Sequence, residues 1–236
     1  MRADYGFPGR WVGGTALIFA PALLLTGILL RLPYHFFFPD QLAAFQREPD
    51  RMTAAYSCIV LGNILLWPAI VTLAQRIATT KPAWAAWGGT LAVCGLFART
   101  FHAGVDHLAF QLVRLQSVDG ATKTVAASYG AFHIVTLFTA AILFGWIVLA
   151  IGAYLSGVLG LIRSLALGTM AALMIGVLKG TSTTSIVSGS GLCVALIPLG
   201  FTVLREPPAP RSRDYVLWFG LLAILLPVMF FLGQKG

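Results

Sequence analysis

The sequence predicts an all-α fold: a polytopic transmembrane helix bundle with seven spans, or eight if the long segments break. Three observations carry this. Of the 236 residues, 58% are hydrophobic and 10% are charged, and the mean hydropathy is +0.85. The apolar residues come in runs of roughly 20 or more, the length a helix needs to cross a bilayer core. The basic residues stand singly or in small groups at the ends of those runs, where long cationic side chains reach the headgroups. The formal net charge of +8 therefore describes a membrane boundary and not a nucleic-acid footprint. The predicted partner is the bilayer itself, and residues 1–236 read as a single integral-membrane domain with no soluble module.

The first span is Val12 to Leu30, too long for the apolar core of a signal peptide, with Pro21 as an internal kink. An aromatic cluster, Tyr34 to Phe38, comes next and suits an interfacial belt or the rim of a pocket. Asp40 opens a short interfacial helix and reads either as its cap or as a carboxylate facing a site. The second span, Thr53 to Ala74, carries Tyr56 and Asn63, and a buried Asn must find a partner on a neighbouring helix. The third begins at Ala83 and continues to about Arg114, longer than a bilayer core. Gln116 to Lys123 reads as a polar turn. The fourth span runs from Val125 to about Tyr154, with Tyr129 and His133 sharing a face near its start and Phe132 beside them. Ser164 to Leu178 makes a weak fifth span, and Thr181 to Ser190 a small-residue stretch suited to close packing. The sixth span continues to Leu204, and the seventh is Tyr215 to Leu232. The basic residues divide almost evenly between the two sides, so orientation is not set.

The rest of the chain is organised around residues 97–114, FARTFHAGVDHLAFQLVR. Arg99, His102, Asp106 and Phe110 fall along one face of the third helix, and His102 and Asp106 are close enough to touch. His107 points about one residue's rotation away. An ionisable group inside a hydrophobic span costs roughly 2.5–3.5 kcal/mol on insertion scales and is a functional-site candidate by default. The competing reading is a helix whose outer third leaves the membrane with a solvated Arg–Asp pair. Threading the spans through a bilayer brings Tyr34–Asp40, Arg99–Asp106, Tyr129 and His133 toward the same side.

The residues exclude several chemistries. The chain has no phosphate loop, nucleophile elbow or HExxH, and no DDxxD for a magnesium–diphosphate site. Cys58, Cys94 and Cys193 lie far apart in apolar segments and read as packed small hydrophobes. His102, His107 and His133 lack a specific metal or haem spacing, and no metal or cofactor is expected. Proton transfer fits better. A carboxyl group in an apolar pocket resists ionisation and can act as an acid, which makes Asp106 the best-placed donor with His102 as its orienting partner. Arg99 pulls the other way, so Asp106 also reads as a base or one half of an anchored ion pair. Phe36, Phe37, Phe38, Phe101, Phe110, Tyr129 and Phe132 are available to stabilise a developing cation by cation–π attraction, though each also serves as membrane packing.

Chain length, seven spans without a soluble domain and the FARTFHAGVDHLAF segment resemble the small bacterial integral-membrane terpene cyclases. These are the drimentine-type indole sesquiterpene cyclases, similar in size and topology to fungal meroterpenoid cyclases. The resemblance implies a metal-independent enzyme in the bacterial cytoplasmic membrane that protonates a lipophilic, prenylated (farnesyl-type) substrate. The resulting carbocation would cyclise and lose a proton. Taken with the proton-transfer reading and the shared side of the bilayer, the expected catalytic residues are Asp106, His102 and Asp40, with Phe38, Tyr56, Arg99, Phe101, Phe110, Tyr129, Phe132 and His133 around the substrate. The fungal relatives use carboxylates on different spans. Here only Asp106, Asp40 and Asp214 could correspond, and Asp214 lies toward the opposite side. Two rival classes stay open: a non-enzymatic transporter or sensor gated by an Arg99–Asp106 pair, and a haem- or quinone-binding membrane protein.

Overall fold

In the computed structural model, residues 6–128, 134–173, 178–207 and 212–234 are described. They are 85% helical, without strands. In chain order the helices are α1 (Arg10–Leu30), α2 (Phe38–Arg47), α3 (Pro49–Ala78), α4 (Pro82–Leu115), α5 (Val118–Ser128), α6 (Thr139–Leu155), α7 (Leu161–Gly168), α8 (Thr183–Arg205) and α9 (Ser212–Gly233). Short 3-10 turns precede α6 (Ile134–Phe138) and succeed α7 (Thr169–Ala172). Two compact units result, residues 1–204 and residues 205–236. The second consists chiefly of α9, an apolar helix with Pro227 inside it.

Five helices among the described residues are long and apolar enough to cross a membrane: Arg10–Leu30, Pro49–Ala78, Ile134–Leu155, Thr183–Arg205 and Val216–Gly233. They correspond to the expected first, second, fourth, sixth and seventh spans. The expected third is a single 34-residue helix, α4, about 50 Å long at the α-helical rise. It falls outside the five, as does the expected fifth, whose described residues include part of the eight-residue α7 and its 3-10 turn. Where a turn was expected after Gln116, α5 forms instead and buries Ala121 and Val125.

Helix contact in the first unit depends on small residues, as it must where lipid is no less apolar than the interface. A side chain at Gly62 of α3 would stand 2.8 Å from the Leu24 backbone nitrogen of α1, and one at Gly145 of α6 would stand 2.6 Å from the Ala92 nitrogen of α4. These approaches let a main core form from Leu17, Leu24, Leu66, Ile70, Trp146, Leu149 and Leu196. A second core lies under the amphipathic α2, where Leu42, Phe45, Met52, Phe110 and Val113 pack together. Phe45 and Phe110 stack with centroids 4.7 Å apart, and Tyr56 meets Phe110 edge-on at 5.7 Å.

Asp40 does not cap α2. Phe37 takes the cap position without a side-chain hydrogen bond, Pro39 sits in the first turn, and Asp40 pairs with His35 at 3.1 Å. Both side chains are more than half exposed, so the pair contributes little stability.

Candidate functional site

A cavity of about 100 Å³ lies inside the first unit. Its walls come from four parts of the chain that the fold brings together. The end of α1 supplies Leu24, Ile28 and Arg31; α3 supplies Tyr56, Ile59, Val60, Asn63 and Leu66. Arg99, His102 and Asp106 come from α4, and Met170, Leu173, Lys179, Thr181 and Ser185 from the region around the break before α8.

Each polar side chain has a physical reason to be held where it is. Asp106 is only 9% exposed, and its Oδ1 accepts a hydrogen bond from the backbone N–H of Leu178. Leu178 is fully buried and has φ 52°, in the left-handed region unfavourable to a branched side chain. The carboxylate satisfies a buried backbone donor. Asn63 answers the requirement its sequence position imposed: its amide donates to the Leu96 carbonyl at 3.1 Å and to Thr100 Oγ1 at 2.9 Å. Thr181 donates its hydroxyl to the Ile28 carbonyl at 2.9 Å, and Arg99 Nη2 donates to the Leu173 carbonyl at 3.1 Å.

Arg31 has the most constrained geometry of the group. It is 4% exposed and sits immediately after the last residue of α1. Its Nε and Nη2 donate to Gln41 Oε1 at 3.1 and 2.7 Å, and Nη2 also donates to the Lys179 carbonyl at 2.9 Å. Gln41 is itself fully buried and donates to the His35 carbonyl. Burial lowers the Arg31 pKa from its ordinary value, and the nearby Asp106 carboxylate opposes that shift. The same region is closed from the other side by Gly180, whose N–H donates to the Phe36 carbonyl at 2.9 Å.

The sequence-predicted residues separate into three groups. Asp106, His102, Arg99 and Tyr56 line the cavity together. Asp40 does not line it; it is exposed and paired with His35. Phe38 and Phe110 belong to the second core, and Phe101 is 40% exposed, so Tyr56 is the aromatic ring at the cavity wall among the described residues. Tyr129, Phe132 and His133 lie outside the described residues. Sequence reasoning missed Arg31, Lys179, Thr181 and Ser185 as cavity residues. Among the described residues no group of three or more His, Cys, Asp or Glu side chains is arranged to hold a metal ion.

Chemically, the arrangement offers one buried carboxyl group, a half-buried imidazole, two guanidiniums and an apolar wall. That set can move a proton, hold an anion, or both. No protein-family model, curated protein or solved structure matches the chain.

Proposed function

We propose that the cavity is the proton-donating site of an integral membrane enzyme, a metal-independent terpene cyclase acting on a lipophilic, prenylated substrate. The observation supporting this is Asp106. Among the described residues it is the one carboxylate on the wall of a cavity that is otherwise part apolar and enclosed by helices. Such walls keep bulk water from competing for the acid's proton, and the Leu178 N–H fixes the orientation of one carboxyl oxygen.

In the proposed reaction the Asp106 O–H protonates a terminal alkene, forming a C–H bond and a tertiary carbocation. A second double bond of the same chain attacks that cation, closing a ring. Loss of a proton to the Asp106 carboxylate, with His102 beside it, forms the product alkene and restores the acid. Substrate and product are isomers, so no co-reactant is required. Arg31 and Arg99 would raise the energy of a nearby cation. Charge must therefore develop toward Tyr56, Ile59 and Val60. Ligand pockets usually enclose about 300–1,000 Å³, so the cavity accommodates the reacting end of a farnesyl-type chain, and the remainder would lie along the apolar helix faces.

The proposal includes seven spans, with α4 and the α7 region crossing alongside the five apolar helices, in a bacterial cytoplasmic membrane. Incubating membranes that contain the protein with farnesylated indoles or phenols tests the activity. A product of unchanged mass and altered retention, absent from membranes lacking the protein, is expected. Full recovery of unaltered substrate across both classes would remove the cyclase reading. A non-enzymatic ligand-binding role is the second reading, favoured by the two guanidiniums on the cavity wall.

A further inference from the structure

We infer that the cavity is an oxyanion-binding site, which takes the carboxylate or phosphate head of an amphiphilic small molecule between Arg31 and Arg99. Anion binding requires no subsequent chemistry, so it is compatible with either reading of the function.

Charge on the cavity wall is the first support. Arg31 and Arg99 face it with one carboxylate, Asp106. The other acidic residues with described side chains in the first unit, Asp40, Glu48, Asp50 and Asp119, are exposed. Asp40 and Glu48 are engaged elsewhere, with His35 and Arg51. Lys179 also lines the cavity, its ammonium 5.6 Å from the centre of the Phe37 ring. Neither Arg31 nor Asp106 forms an ion pair among the described residues. Asp106 attracts Arg31 only from beyond ion-pair distance, and two buried guanidiniums against one carboxylate leave positive charge that an incoming anion offsets.

The geometry of Arg31 is the second support. Gln41 and the Lys179 carbonyl fix its Nε and Nη2, while Nη1 has no hydrogen bond among the described residues. A guanidinium clamped through Nε and Nη2 leaves Nη1, with its two N–H groups, as a rigid, preorganised donor to a carboxylate or phosphate oxygen. Competing protein donors are occupied: the Asn63 amide on Leu96 and Thr100, and the Thr181 hydroxyl on Ile28. Selectivity for an anion is therefore assigned to the cationic side chains, with Arg31 Nη1 the donor whose geometry is fixed.

The apolar wall is the third support. Leu24, Ile28, Ile59, Val60 and Leu66 line the cavity along with the charged groups. A volume of about 100 Å³ holds a head group and the first carbons of a tail, and little more. An amphiphile satisfies both halves at once, and a fully hydrated inorganic ion satisfies one.

The test uses the full chain purified in a neutral maltoside detergent and measures affinity by thermal shift and native mass spectrometry. The probes are dodecyl phosphate, dodecanoate, dodecanol, dodecyltrimethylammonium and inorganic phosphate. We expect dodecyl phosphate and dodecanoate to bind at least tenfold more tightly than dodecanol or dodecyltrimethylammonium, a difference of about 1.4 kcal/mol or more. Arg99→Gln should erase that preference, and Arg99→Lys should restore part of it, because charge returns without the planar fork. Arg31→Lys gives an independent second reading should the first variant fold poorly. Arg163→Gln, whose guanidinium caps the Ala195 carbonyl away from the cavity, should leave binding unchanged. Inorganic phosphate binding as tightly as dodecyl phosphate would keep the oxyanion site but assign it to a free anion. Equal affinity for anionic, neutral and cationic probes, or anion affinity unmoved in both Arg99→Gln and Arg31→Lys, overturns the inference. A protein inactive toward prenylated substrates that still shows the anion preference separates this inference from the cyclase proposal.

Discussion

The Asp106 carboxylate holds the backbone N–H of Leu178, seventy-two residues further along the chain, in a hydrogen bond inside the bundle. Leu178 is buried with a left-handed backbone at φ 52°, so the bond fastens a strained backbone position to the C-terminal third of α4. Asp106 thus has two roles available to it, one as an anchor and one as an acid. The anchor role needs only an acceptor oxygen, while the acid role needs an ionisable proton.

That difference makes a pair of substitutions informative. Asp106→Asn keeps a carbonyl oxygen to accept the Leu178 N–H, so the protein should fold and melt within a few degrees of the parent in detergent. Cyclisation of a prenylated substrate should fall by 10²–10⁴-fold, the usual contribution of a general acid. Asp106→Ala should lose activity and also stability, by about 1–3 kcal/mol, because a buried donor is left unsatisfied. If Asp106→Asn keeps more than about a tenth of the parent activity, that contribution is too large to leave intact and the acid role fails.

The contact between α4 and α6 gives a second prediction. A methyl group at Gly145 would stand 2.6 Å from the Ala92 nitrogen and 2.7 Å from the Leu91 carbonyl carbon, and backbone cannot swing aside as a flexible side chain can. Gly145→Ala should therefore destabilise the bundle by about 1–3 kcal/mol, the usual cost of overpacking. At Gly104 nothing lies within 4 Å of the same added atom. Gly104→Ala in α4 should be neutral or stabilising by up to ~1 kcal/mol, through helix propensity alone. Thermal unfolding of the two variants in the same detergent checks the contrast, and equal melting temperatures would contradict it.

Asn63 supplies a third. Its amide joins α3 to α4 through the Leu96 carbonyl and Thr100 Oγ1. Hydrogen bonds between membrane helices average about 0.6 kcal/mol and reach about 1.7. Asn63→Ala should thus lower stability by about 1–2 kcal/mol, with the lost packing included, and should not abolish folding. Reversible unfolding in mixed detergent micelles measures this, and a loss above about 4 kcal/mol would mean the residue does more than the two bonds account for.

How far the sequence alone reveals the site depends on which forces are local. Asp106, His102 and Arg99 stood out because a helix-long apolar stretch cannot hold such groups without a reason, and Tyr56 shares their cavity. Arg31 did not stand out. A cation just after an apolar run is the ordinary signature of a helix end at the headgroups, and its burial depends on two distant partners, Gln41 of α2 and the Lys179 carbonyl. The local structure within the expected fifth span was hidden for a related reason. Its residues read as a continuous apolar run, yet α7 gives way to a 3-10 turn after Gly168. Ser188 then takes the Thr169 carbonyl at 2.7 Å, Asp106 the Leu178 N–H and Phe36 the Gly180 N–H. Tertiary partners there replace the bonds a continuing helix would make, and periodicity carries no trace of them.

Asp40 carries the last prediction, because it and Asp106 were the two acids expected to share one site. The fold separates them by exposure: Asp106 lines the cavity, and Asp40 pairs with His35 at 3.1 Å with both side chains more than half exposed. An exposed ion pair is usually worth about 0–1 kcal/mol and weakens with salt. Asp40→Asn should therefore shift the melting temperature by no more than a degree or two and leave turnover of a prenylated substrate within about twofold of the parent. The same reasoning separates the two donors in a direct comparison, with both variants assayed on one substrate at one protein concentration. Loss of activity in Asp40→Asn beside retained activity in Asp106→Asn would reverse the assignment of the acid. It would also require α2 to move so that Asp40 reaches the cavity, since Gln41, its neighbour in sequence, is already fully buried and bonded to Arg31.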